Sequence, residues 1–165
     1  MKLKHFLKHW ALSALPVRLA VSDADLAEIE KAIEQAETTT SAEFLVIFER
    51  SLPISYLKRN ASCRIRAKTL FGKYGCWDTE ENNGVLLYFN LTEHAIEIFL
   101  DRGAARAISQ EEIRSIVDCL GQQFRQKHFR QGIEEAVGEL ARLLAAAFPN
   151  REGSKNSVSN KPLTL

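Results

Sequence analysis

Residues 77–105, WDTEENNGVLLYFNLTEHAIEIFLDRGAA, carry two apolar runs, Val85 to Leu91 and Ala95 to Leu100, with Thr92, Glu93 and His94 between them. Short runs rich in Val, Ile, Leu and Phe, broken by polar turn formers, predict a β-hairpin. Ahead of it stand Asn82, Asn83 and Gly84, residue types that tolerate positive φ and bond nearby backbone amides, so a tight turn is expected to lead the chain into the first strand.

The pattern upstream supplies a partner for that hairpin. SAEFLVIFE, residues 41–49, holds a near-continuous apolar run from Phe44 to Phe48, as a strand covered on both faces requires. Before it, Ser22 with Asp25 three residues on opens a helix whose stripe is Leu26, Ile29 and Ile33, running on to Ala36. After Pro53, residues 55–71 predict one helix with Tyr56, Cys63, Ala67 and Leu70 inward and Ile65 outside the stripe. Downstream, Ser109 and Glu112 form a capping box for a helix with Ile113, Ile116, Val117, Leu120 and Phe124 on one side. A last helix, about 131–148, turns Ile133, Val137, Leu140 and Leu144 inward and stops at Pro149 and Asn150. Apolar strands alternating with amphipathic helices predict an α/β fold, a three-layer α/β/α sandwich with a mixed, mostly four-stranded sheet.

The flanks divide the chain. Residues 1–21 are a basic amphipathic N-terminal segment, 22–148 the folded domain, and 149–165, polar and turn-rich, a flexible tail. Within residues 3–14 the apolar positions Leu3, Phe6, Leu7 and Trp10 recur at helical spacing among Lys2, Lys4, His5, Lys8 and His9. This stripe could touch an anionic membrane surface, although one so short more often docks on its own domain. The basic residues interrupt any apolar core of a secretory signal, so a cytoplasmic protein is expected, peripheral at most to the inner membrane face. A net charge of +1 over 165 residues excludes a bulk electrostatic preference for nucleic acid. Cys63, Cys76 and Cys119 are odd in number and lack C-x-x-C spacing, so all three are expected as free thiols in or beside the core.

Asp78, Glu80 and Glu81 crowd the loop before the first hairpin strand, and Asp101 leaves the second. An antiparallel hairpin brings the start of one strand beside the end of the other. The four carboxylates are therefore expected at one sheet edge, in a shallow solvent-accessible depression that could take Ca2+ or Mg2+, hard cations that prefer carboxylate and carbonyl oxygens. An acidic loop of this kind can equally be a solvated surface. From Arg50 to Trp77 there are seven basic residues and no acid. Such a run could hold a phosphate ester beside a metal, but at helical spacing its charges point several ways and a solvated face is the simpler expectation. There is no H-E-x-x-H, G-x-S-x-G or P-loop, and Ser109 and His94 are accounted for by a cap and a turn.

In order and spacing, the stretch 77–105 resembles the central signature of the TPM domain family, in which an acidic loop and an Asn-Asn-Gly or Asp-Asn-Gly turn lead into an apolar strand and its hairpin partner. SAEFLVIFE resembles that family's first strand, and the Ser109 helix with FRQGIEEAVGELARLL its closing helix pair. The resemblance implies an acid-phosphatase activity seen in some members, including a thylakoid-lumen protein of photosystem repair, and calcium held beside the same loop in some bacterial relatives. Many members have no established activity. Asn82 stands where many members have Asp, and Asp101-Arg102-Gly103-Ala104-Ala105 where many have Gly-Tyr-Gly-Leu-Glu, so two acidic ligands of that pattern are missing. The chain further resembles a short cytoplasmic bacterial branch lacking the signal peptide and membrane span, which implies a membrane-anchored TPM relative or a LemA-type protein as partner. The expected role is a non-catalytic interaction module; the alternative is a metal-assisted phosphatase.

Overall fold

The computed structural model describes residues 15–150 and 157–165. The helix expected over residues 3–14, with Leu3, Phe6, Leu7 and Trp10, lies outside the described residues. A single 3-10 turn, Val17–Leu19, buries Val17 and hands the chain to α1, Asp23–Glu37. There Ser22 Oγ accepts the Asp25 N–H at 3.1 Å and Asp25 accepts the Ser22 N–H at 3.2 Å, a reciprocal cap worth about 1 kcal/mol.

Four strands form one mixed sheet in the order β3-β2-β1-β4. They are β1 (Phe44–Glu49), β2 (Val85–Asn90), β3 (Ala95–Leu100) and β4 (Leu163–Thr164). β1 and β2 run parallel with Phe44 opposite Val85 and Glu49 opposite Asn90, and β3 returns antiparallel with Leu100 opposite Val85. Every residue of β1 and β2 is buried, which is why their sequences lack alternation. Phe44, Val46, Phe48, Val85, Leu87 and Phe89 face a layer made by α1, α5 (Gln110–Arg125) and α6 (Phe129–Leu144). Leu45, Ile47, Leu86 and Tyr88 face α2 (Ile54–Lys58) and α3 (Cys63–Lys73) on the other side. A one-turn helix, α4 (Ala104–Ala107), links β3 to α5. The three-layer sandwich, the hairpin, both capping boxes and the inward stripe of α6 stand as expected from sequence.

Three expectations are corrected. The helix predicted over 55–71 is two helices, because Asn60 takes a left-handed φ of 53° and Ser62 caps a fresh start, its Oγ accepting the Ile65 N–H at 3.4 Å. Cys119, expected in or beside the core, is exposed, whereas Cys63 and Cys76 are buried; all three are free. Finally, described residues of the expected flexible tail 149–165 are packed: Val158 is buried and Leu163–Thr164 pair in parallel with Ile47 and Phe48. Composition made this tail look loose, but the outer edge of β1 carries backbone groups that need partners. The Glu43 carboxylate, itself buried, fastens the segment by accepting the N–H groups of Ser157 and Val158 at 2.7 and 2.6 Å.

Candidate functional site

The acidic loop starts where α3 ends. Gly75, with φ +75°, turns the chain, and the Asp78 N–H bonds the Gly75 carbonyl at 2.9 Å. Thr79, buried, then acts as the loop's centre: its carbonyl accepts the Asn82 N–H and its Oγ1 the Asn83 N–H, at 3.2 and 2.9 Å. Asn82 sits at φ 55°, which Asn tolerates because its side chain bonds locally. Its carbonyl receives the N–H groups of Gly103 and Ala104 at 2.8 and 3.2 Å, clasping the loop to the turn after β3. The buried Asn83 donates its amide to the Ser41 carbonyl at 2.8 Å, and the Glu81 carboxylate takes the Ser41 hydroxyl, so the loop is also tied to the entry of β1.

Asp101 lies where the hairpin geometry puts it, its N–H on the Gly84 carbonyl at 2.8 Å. It is not solvent-accessible, as the sequence led one to expect, but 5% exposed. One carboxylate oxygen accepts the Arg102 N–H at 2.7 Å; the other is buried without a hydrogen-bond partner among the described residues. Asp78, Glu80 and Glu81 are exposed. Among the described residues no three Asp, Glu, His or Cys side chains gather to hold a metal ion, so Asp78, Glu80, Glu81 and Asp101 do not form a coordination sphere in this arrangement. Burial pushes the neighbouring Cys76 thiol up to about 12, which leaves it protonated and unreactive.

A second constellation, not anticipated from sequence, lies at the opposite ends of the parallel strands. Arg66 forks onto Glu49, with Nη2 on Oε1 at 2.6 Å and Nε on Oε1 at 3.0 Å. The Tyr88 hydroxyl donates to Glu49 Oε2 at 2.6 Å, and the Asn90 amide donates to that hydroxyl at 3.0 Å. Burial, then the Glu49 carboxylate, drives the Tyr88 phenol well above its ordinary range, and burial pushes Cys63 up to about 12. The signal was available: a Glu closing an apolar buried strand must find a cation, and Tyr88 and Asn90 alternate onto its side of the sheet. Strand C-terminal ends are where α/β sheets place ligands, but here the charges and hydroxyl satisfy each other. A groove of about 300 Å³ lies elsewhere, between α5 and α6, lined by Cys119, Glu135 and Glu139 over Ile116 and Ala136.

Comparison with known proteins gives a match to the model of the TPM domain over residues 19–143. No curated protein matches the chain. Among solved structures, the NMR structure of BA42 protein from the psychrophilic bacterium Bizionia argentinensis is similar, with 24% identity, a TM-score of 0.75, and coverage of 88% of this chain and 95% of that one. The N-terminal domain of a P. gingivalis protein, also solved by NMR, is similar at 19% identity and a TM-score of 0.62, covering 80% of this chain and 82% of that one. At those identities the likeness is one of fold.

Proposed function

The chain belongs to the TPM domain family, and from that starting point we propose that it is a non-catalytic interaction module working beside a membrane-associated partner at the cytoplasmic face. The observation that carries this reading is the closure of the acidic loop: the Asn82 carbonyl, the Asn83 amide and the Glu81 carboxylate are spent on holding Gly103 and Ser41. A loop so committed is a clasp for the sheet edge. No described helix is long and apolar enough to cross a membrane, so a membrane-anchored relative, a TPM protein or one of LemA type, would supply the anchor. Two measurements test the reading together. Co-expression with such a partner should bring this chain into the membrane fraction, and the purified protein should not turn over a generic phosphate ester with Ca2+ or Mg2+ faster than the Asp78→Asn, Asp101→Asn double variant. Metal-dependent turnover lost in that variant would sink it.

One observation favours the metal-assisted phosphatase as a second reading. The buried Asp101 Oδ2 is an acceptor with no donor among the described residues, and a cation drawing Asp78 or Glu81 inward would satisfy it. Such a cation would polarise a phosphoryl oxygen and orient water. On that reading, millimolar-scale Ca2+ or Mg2+ raises the melting midpoint, by about 2.7 kcal/mol of stabilisation at a hundredfold excess over Kd. The rise disappears in the double variant, and an unchanged midpoint in the parent protein removes this reading.

A further inference from the structure

The basic run between Arg50 and Trp77 divides into arginines held by oxygen acceptors and lysines with no carboxylate partner among the described residues, of which Lys73 has its ammonium 5.1 Å from the Tyr74 ring centroid. Arg66 is taken by Glu49, Arg64 by Glu97 at 3.2 Å, and Arg50 by the carbonyls of Leu15 and Pro16. Among the described residues no carboxylate pairs with Lys58, Lys68 or Lys73. Lys68 and Lys73 are exposed on α3.

Helical geometry gathers these lysines with exposed apolar side chains. Ile65, Lys68, Thr69 and Gly72 recur at i, i+3, i+4 and i+7, so they share the outward face of α3, opposite the buried Cys63, Ala67 and Leu70. Lys73 flanks the same face one residue beyond Gly72. At its lower end the Trp77 indole N–H donates to the Gly72 carbonyl at 3.1 Å, which holds the ring against the last turn of the helix. Ile65 and Trp77 are each 54% exposed. A Cβ on Gly72 would meet nothing within 4 Å, so the helix surface at that position is open. The Trp77 N–H is satisfied within the chain, and what the ring offers outward is apolar surface.

We infer that this α3 face, Ile65, Lys68, Lys73 and Trp77, is a docking surface for an anionic lipid bilayer. The inference rests on the reading of the chain as a module beside a membrane and gives that reading a surface. Charge complementarity selects an anionic partner. The mixture of ammonium groups with an exposed Ile and Trp selects a lipid surface over a nucleic acid: an interface receives both kinds of group, lysines reaching headgroup phosphates while the indole and the sec-butyl group enter the acyl boundary. Glu81 bonds Ser41, and the exposed Asp78, next to Trp77 in sequence, and Glu80 are the opposing charges nearest in sequence.

The test uses the full chain carrying Trp10→Phe, so that Trp77 is the one indole left of the two in the sequence. Vesicles of phosphatidylcholine, with and without phosphatidylglycerol, are titrated while fluorescence is read and bound protein is sedimented. The anionic vesicles should bind the protein and shift Trp77 emission to the blue, and neutral vesicles should do neither. Replacing both lysines by Gln, with folding checked by circular dichroism, should weaken partitioning about 25-fold, fivefold for each charge at ~1 kcal/mol apiece. Asp78→Asn should tighten it. Binding that survives in the lysine variant with Trp77 emission unmoved overturns the inference, because another segment is then responsible. So does binding to heparin without binding to vesicles, which would make the partner a generic polyanion. Absence of vesicle binding without phosphate-ester turnover sinks this surface alone, whereas Asp-dependent turnover sinks the non-catalytic reading.

Discussion

A Cβ placed on Gly84 would fall 1.9 Å from the Cys76 carbonyl oxygen and 2.9 Å from its carbon, and neither atom can move without dismantling the loop. Gly84→Ala is therefore expected to cost more than about 3 kcal/mol, visible as a large fall in the urea midpoint, since backbone collisions in a packed site belong to the severe class of substitutions. That a turn stood at Asn82-Asn83-Gly84 was legible, because residue type alone encodes tolerance of tight backbone. The steric demand on Gly84 was not, because it comes from residue 76 across the loop. The cysteines divide similarly. Cys63 and Cys76 are buried with thiols pushed up to about 12, and Cys119 is exposed. A thiol reagent should therefore titrate one group rapidly in the native protein and three after denaturation without reductant; three rapid groups would mean that the sheet's covered face is open.

At the scale of elements, the C-terminal segment shows what periodicity cannot reveal. β4 has two residues and no apolar pattern of its own, and it exists because β1 offers an edge and Glu43 offers a carboxylate. Asn160 also reaches Glu37, donating at 2.8 Å to Oε2. Burial raises the Glu37 carboxyl to about 7, with the Phe44 N–H and Asn160 opposing the shift. The folded chain thus holds this proton more tightly than the unfolded chain, whose value is near 4.5. Its contribution to stability is complete below about 4.5 and is lost as pH climbs to about 7. Glu37→Gln should therefore gain stability over the parent at pH 8 while differing little at pH 4.5. Discounted for the solvent that still reaches Glu37, the gain is about 1 kcal/mol. Chemical denaturation at the two pH values measures it, and an equal effect at both would assign the change to packing instead of charge.

Across the whole molecule, Glu49 and Arg66 pin α3 to the end of the central strand, with side chains 3% and 16% exposed. Removing one partner strands a charge in the interior. Arg66→Met is expected to lose about 3 kcal/mol by urea denaturation, and adding Glu49→Gln, which discharges the site while still accepting from Tyr88, should recover more than half. Additive losses would mean the two residues act independently. The sequence by itself determined the α/β class, the hairpin, the helix caps and the inward stripes of α1, α5 and α6, because caps, turns and amphipathic periods are interactions among near neighbours. It also placed Asp101 beside the start of β2, since antiparallel pairing needs nothing more than the hairpin. What the tertiary structure alone decided was the burial of Asp101, the break between α2 and α3, the docking of the tail on β1, the pairing of Arg66 with Glu49, and which lysines stay unpaired. The break between α2 and α3 is local, set by the left-handed Asn60 and the Ser62 cap. The others depend on partners 17 or more residues away or on which backbone groups the sheet leaves open, and no local pattern records either.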